Sequence, residues 1–437
     1  MSDKPSHAAA FVADRFFEDE PPPAATTGVV GWMRENLFSS PMNGFLTLAS
    51  LAIVAWLLPG FIEWALLKSV WNASSLSECR AIMDASFGEG VRGACWAVIR
   101  ERFDQLIYGF YPPELRWRPN IAFVLLIVAV APILFETLRP LVFVALGVIA
   151  AKALIGVAGA LGGAEGAFGP LLGPMTLVLA VAAVLAWFFG AARHRRWWLM
   201  FSLAFPVIVY FLLWGGLGLE PVQSSRFGGF LLTMIIGVTG IAASLPIGIV
   251  LALGRQSQMV FIRTICVGFI EFIRGVPLIT LLFVASTLLN YFLPPGTNFD
   301  LILRVLIMVT LFASAYMAEV IRGGLAALPK GQYEAADAMG LTYGQSMRLV
   351  ILPQALKISI PGIVNTFIGL FKDTTLVAVI GLLDPLGLTN PIRADSNWNG
   401  IVWELYGFIA LLFFVFCFGM SRYSQFLERK LRAGDRR

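Results

Sequence analysis

Charged side chains are scarce in this chain. Asp, Glu, Lys and Arg make up 14% of its 437 residues, where a soluble domain carries about 25%, so most of the polypeptide is expected in lipid. Histidine is scarcer still. Only His7 and His194 occur, one in a polar tail and one in a basic loop, which excludes a histidine-based catalytic centre and gives no reason to expect a metal. No Gly-x-x-x-x-Gly-Lys-Ser/Thr phosphate loop is present, so any ATP hydrolysis must come from another chain. The net charge of +5 is small for the length and is read through its distribution among loops, not as a nucleic-acid footprint.

Apolar length is abundant. Hydrophobic residues make up 58% of the chain and mean hydropathy is +0.78. A spanning helix needs roughly 20 apolar residues. Such runs lie near 44–66, 120–138, 141–160, 171–190 and 197–217, and again near 228–253, 264–292, 303–326, 357–383 and 402–420. The expected fold is therefore an all-α membrane protein of about ten transmembrane helices. The spans at 141–160 and 171–190 are rich in Ala and Gly and carry Lys152; one span plus a re-entrant piece is the alternative there. Residues 1–43 read as a cytoplasmic tail without a cleavable signal peptide, its start polar with Asp14, Glu18, Asp19 and Glu20. Residues 44–217 read as an N-terminal membrane region and 218–437 as a second membrane unit.

Arginine sets the expected orientation. Arg193, Arg195, Arg196, Arg255, Arg263 and the C-terminal group from Arg422 to Arg437 fall on one face if the N-terminus is cytoplasmic. Opposite short loops hold little beyond Arg226 and Arg393. The positive-inside rule then puts both termini in the cytoplasm of a multi-pass inner-membrane protein. The long loop 67–119 falls outside. Within it Trp96, Ile99, Phe103, Leu106 and Phe110 recur at helical spacing, predicting an amphipathic helix closed by Pro112 and Pro113. Cys79 and Cys95 are the two cysteines of this loop. They are either a disulfide closing a short loop in an oxidising compartment, or two free thiols.

A polar island interrupts the second unit at 327–356. Gly331 to Met339 is read as a short helix, with Tyr333 and with Glu334 in its first turn, where a carboxylate suits the helix dipole. Ala335 and Ala336 leave room for another backbone, and Gly340 suits a C-terminal cap. Thr342 and Gln345 have capping-box spacing for a second helix, before Val350, Leu352 and Pro353. The spacing of Glu334-Ala335-Ala336, Gly340, Val350, Leu352 and Pro353 resembles the cytoplasmic coupling loop of binding-protein-dependent ABC permeases, with Val where Ile is commoner. Glu271 to Pro277, Ala318 to Gly324 and Leu370 to Thr375 are similar to permeases for polar amino acids of the histidine and glutamine type. Gly93-Ala94-Cys95-Trp96 and Phe110 to Glu114 most resemble the M subunit of general L-amino-acid permeases.

The resemblance implies a type I importer core in the last five helices and a loop that docks in a groove of an ATP-hydrolysing subunit. It implies no cofactor in this chain, with ATP and Mg held by an ATPase dimer. Its other implied partners are a second permease subunit in a heterodimer, a periplasmic amino-acid-binding protein, membrane lipid and an L-amino-acid substrate, without nucleic acid. The competing reading is a self-contained secondary transporter.

Ionisable residues within spans are costly and read as functional by default. Asp373, with Thr374 and Thr375, is the candidate for the substrate ammonium, the alternative being a pairing with Lys372 or a helix break. Glu319 with Arg322, and Glu271 with Arg274, are gating or structural charges at i, i+3 spacing. Gly240, Ser244 and Gly248 form a small-residue strip for close packing, against a partner subunit or within the chain. Val276 and Leu281 stand where related permeases commonly carry Thr and Gln, which points to a weaker substrate half-site in this subunit.

Overall fold

Long apolar runs with few charges and no water to serve them can satisfy their backbone only as helices, and the computed structural model is accordingly helical. It describes residues 28–134, 195–216, 218–288, 291 and 299–434. No strand occurs among them, only three isolated bridges. The expected spans at 141–160 and 171–190 lie outside the described residues.

Residues up to Lys68 form one compact unit. It contains α1 (Gly28–Asn36) and α2 (Pro41–Ile62), whose N-terminal Ser40 hydroxyl accepts from the Asn43 N–H. A π-helical turn, Glu63–Leu67, extends α2, so the apolar run reaches 27 residues.

Ser69–Arg437 is the other unit. It opens with α3 (Leu76–Phe87) and α4 (Ala97–Tyr108), followed by α5 (Trp117–Leu134) and α6 (Arg195–Trp214). Then come α7 (Gly229–Arg255), α8 (Val260–Gly275) and α9 (Leu278–Phe283), which runs on into a π-helical turn, Val284–Leu288. Next are α10 (Leu301–Ala326), α11 (Lys330–Ala338) and the four-residue α12 (Tyr343–Ser346). A π-helical turn, Met347–Ile351, joins α12 to α13 (Leu352–Asp373), which a 3-10 turn carries on to Ile380. Last are α14 (Thr389–Ala394) and α15 (Trp403–Gly434).

Five helical runs among the described residues are long and apolar enough to cross a membrane, or six if α8 and α9 count as one span. The uninterrupted span expected over 264–292 is corrected: α8 and the α9 run meet at 102°. Pro277 is the cause. A proline disfavours helical geometry in the residue before it, and Val276 is extended at φ −105°, ψ 131°.

Small residues set how closely the helices approach. A Cβ on Gly248 of α7 would lie 2.7 Å from the Met317 side chain of α10. One on Gly240 would lie 3.1 Å from Leu370, and Ser244 is fully buried. The strip is therefore spent on α10 and α13 within this chain. Gly324 and Gly362 do the same for α10 against α13, a Cβ on the latter falling 2.7 Å from Val320. Lipid supplies no hydrophobic drive between helices, so such close packing holds the bundle together.

At the α7 N-terminal end lies a polar lobe built from α3 and α4. Cys79 and Cys95 are bonded to each other there, with Cα atoms 6.2 Å apart. The bond sits in a cluster with Met83, Val98, Ile99, Leu106, Trp398, Ile401 and Leu405, so the lobe packs onto the segment between α13 and α15. The Cys95 N–H donates to Glu404 Oε1 at 2.9 Å, and Arg102 pairs with Asp395. The amphipathic helix ends earlier than its prolines suggested. Gly109, at φ +66°, stops it after Tyr108, because a Cβ there would fall 2.4 Å from the Gly228 backbone; Phe110 is exposed.

Candidate functional site

At the opposite end of the bundle, α11 projects between α10 and α13. Pro329 caps it, so the helix starts at Lys330 and Glu334 falls in its second turn, one turn later than the sequence suggested. Glu334, Ala335 and Gly331 are exposed, while Ala336 is buried. Gly340, at φ +69°, ends the helix. Its N–H donates to the Asp337 carbonyl at 2.9 Å, and the Leu341 N–H reaches back to the Ala336 carbonyl at 3.2 Å, as a left-handed cap requires.

Anchors fix α11 to the spans. The Tyr333 hydroxyl donates to the Leu325 carbonyl at 3.3 Å, burial raising the phenol's pKa. Gln354 Nε2 donates to Gln332 Oε1 at 3.0 Å. The Thr342 N–H and hydroxyl both reach Gln345 Oε1 at 3.0 Å. The second helix that they open is not a separate element. It continues through the π turn and Leu352-Pro353 into α13, giving one run from Tyr343 to Ile380. Sequence reading missed the apolar side of this surface: Met339, Tyr343 and Leu349 are 76%, 63% and 63% exposed.

Asp373 ends α13 half-buried. Among the described residues its carboxylate has neither a hydrogen bond nor an ion pair, Lys372 included. The neighbouring hydroxyls both donate to backbone carbonyls, leaving only their oxygens as acceptors. Thr374 is fully buried and donates to the Phe371 carbonyl at 2.8 Å, and Thr375 donates to the Lys372 carbonyl at 2.9 Å. Leu281 is buried against Ile273 and Ala315, so it faces protein.

Of the two charge pairs expected from spacing, Glu319–Arg322 forms and Glu271–Arg274 does not. Glu319 of α10 accepts from Arg322 Nε at 2.8 Å, and its other oxygen faces Arg255 at 3.3 Å and Arg274 at 3.8 Å. Glu271 pairs with Arg255 at 3.0 Å, not with Arg274. Arg255, the last residue of α7, had carried no local signal for this role.

Comparison with known proteins agrees with this architecture. Residues 244–433 match the family described as binding-protein-dependent transport system inner membrane component. The chain is 53% identical to the glutamate/glutamine/aspartate/asparagine transport system permease protein BztC of Rhodobacter capsulatus, over 98% of this chain and 99% of that one. It is 41% identical to the inner membrane amino-acid ABC transporter permease protein YhdY of Escherichia coli, over 92% and 93%. The probable glutamine ABC transporter permease protein GlnM of Bacillus subtilis is 33% identical over 48% of this chain but 94% of its own length. Shorter permeases thus correspond to only about half of this chain. Full-length identity of this order sets aside the self-contained secondary transporter. The chain belongs to the inner-membrane permease subunits of binding-protein-dependent ABC importers of amino acids.

Proposed function

We propose that this chain is one half of a heterodimeric permease for polar L-amino acids, and that α11 is the element gripped by its ATPase. The observation that carries the reading is the exposed α11 surface, where Glu334 and Ala335 stand beside the solvent-facing Met339, Tyr343 and Leu349. A cluster of large exposed apolar side chains beside a polar loop marks a protein contact. The α11 end and both termini then face the cytoplasm, in keeping with the arginine distribution, and the disulfide lobe faces the periplasm and its amino-acid-binding protein. ATP and Mg belong to the ATPase dimer.

Cargo resembles that named for BztC, the acidic amino acids and their amides, within a general L-amino-acid type. Asp373 meets the substrate ammonium. An ionisable side chain within a span is costly and reads as functional by default, and Asp373 forms no ion pair among the described residues. Leu281, packed against protein where related permeases carry Gln, supports a weak half-site, with the second permease subunit lining most of the pocket.

Glu334→Lys tests the docking assignment: the variant reaches the membrane, fails to hold the ATPase on purification and does not transport. Normal uptake by this variant defeats the reading. Asp373→Asn reduces uptake only modestly under the half-site reading. Complete loss of uptake with the ATPase still bound would place the main site in this chain.

A further inference from the structure

The Glu319 cluster adds charged contacts where α7, α8 and α10 already pack through Ala252, Ile270 and Met317. Towards the docking end, Ala318, Ile321 and Leu325 of α10 share one cluster with Leu328, Met347 and Ile351, against which Tyr333 packs. This face of α10 is thus fixed to the docking loop. Across the helix, Glu319 holds Arg274, which sits at the C-terminal end of α8, immediately before the 102° bend. The Arg274 guanidinium also lies 5.6 Å from the centre of the Tyr316 ring, so α10 meets it twice. Beyond the bend, Leu278 and Leu282 of α9 pack in the same cluster as Leu370 and Val377, the residues flanking Asp373. The two oxygens of Glu319 are divided accordingly, one held by Arg322 of its own helix and the other shared by Arg255 and Arg274.

We propose that Glu319 is a positioning residue for transport: it ties the α8–α9 bend to α10, so that displacement of the docking loop reaches the wall beside Asp373. The proposal rests on the docking reading of α11 and deepens it. Glu319 touches neither substrate nor ATPase. Among the described residues its carboxylate is the acidic group that contacts cations from all three helices, since Glu271 reaches Arg255 alone. Removing its charge leaves Arg274 without an acidic partner at the bend.

The test uses the complete importer in liposomes, with substrate-loaded binding protein. Glu319→Gln is expected to keep the ATPase bound and its basal hydrolysis measurable. Stimulation by loaded binding protein and uptake should both fall on the order of tenfold, the size of a typical coupling between sites. Glu319→Asp should recover part of the stimulation. In a double-mutant cycle, Arg274→Gln should lose little more in the Glu319→Gln background, because both act through one contact. Normal stimulation in Glu319→Gln, or fully additive losses, overturns the proposal. If Glu319→Gln fails to assemble, the cycle is run from Glu319→Asp and Arg274→Lys, with additivity again decisive. Failure of the docking reading is seen separately, as normal uptake in Glu334→Lys.

Discussion

Gly340 offers a measurement in which one conformational quantity is changed and nothing else. It lies at φ +69°, and a Cβ built on it meets no atom within 4 Å. Substitution therefore introduces no clash. The penalty is that of holding an L-residue in the left-handed region, about 1–2 kcal/mol, smaller for Asn and largest for a β-branched residue. The nine-residue α11 is far too short to be helical unaided, so its cap and its anchors decide how often it is formed. A loss of 1–2 kcal/mol shifts that equilibrium by a factor of roughly 5–30. Uptake in membrane vesicles and retention of the ATPase should therefore fall in the order Gly, Asn, Ala, Val at position 340. Hydrogen exchange of the α11 amides should accelerate in the same order. Gly331 is the internal control. It lies in the same helix, also with open space around it but without a positive φ, so Gly331→Ala should slow exchange, Ala being the better helix former. Wild-type uptake by Gly340→Val, or equal damage from Asn and Val, would refute the reasoning.

Reduction of Cys79–Cys95, or Cys79→Ser with Cys95→Ser, opens a loop with a sequence separation of 16; chain-entropy arguments put its contribution at about 3 kcal/mol. The lobe should lose thermal stability and become protease-sensitive, and an unchanged melting profile under reductant would count against it. Asp384 is fully buried, and burial raises its pKa to about 6 against the opposing N–H bonds of Gly387 and Leu386. Its folded pKa lies above the unfolded value of 3.8. Stability is therefore gained as pH falls from above 6 towards 4 and lost on the way back, by up to about 3 kcal/mol. Asp384→Asn should flatten that profile in thermal shift assays, and an equally steep profile in the variant would exclude Asp384 as its source. Reporter fusions after residues 90 and 392 should report the periplasm, and those after 195, 335 and 430 the cytoplasm. Equal signals at 335 and 392 would overturn the orientation.

Much of this structure was legible because lipid imposes a simple code. Apolar length located α2, α7, α10, α13 and α15, since no other backbone arrangement survives there. The cap of α11 was legible for the same local reason, glycine being the residue that accepts a left-handed turn. What escaped depended on distance in sequence or on competing signals. The bend at Pro277 was hidden inside a run whose hydropathy alone reads as one span, although Arg274-Gly275-Val276-Pro277 carries the break in plain view. Glu319 was read with Arg322 because they are three apart; Arg255, 64 residues away, offered nothing local to find it by. Thr374 looked available because a sequence does not record that its side chain is fully buried.

The run from Tyr343 to Ile380 is 38 residues, roughly 55 Å at helical rise, with the docking cap at one end and Asp373 near the other. It behaves as a drive shaft, with a stroke and a phase. Helix shifts of about 1–2 Å are enough to switch many proteins, and a continuous helical run can pass such a stroke along its length. Its phase is set by the wide turn at Met347–Ile351, which offsets everything beyond it around the axis. The facing of the carboxylate is thereby geared to the seating of the loop. On the docking and substrate readings proposed above, choice of motor and affinity for cargo are not independent properties, and adaptation to a different ATPase would alter what the permease prefers to carry.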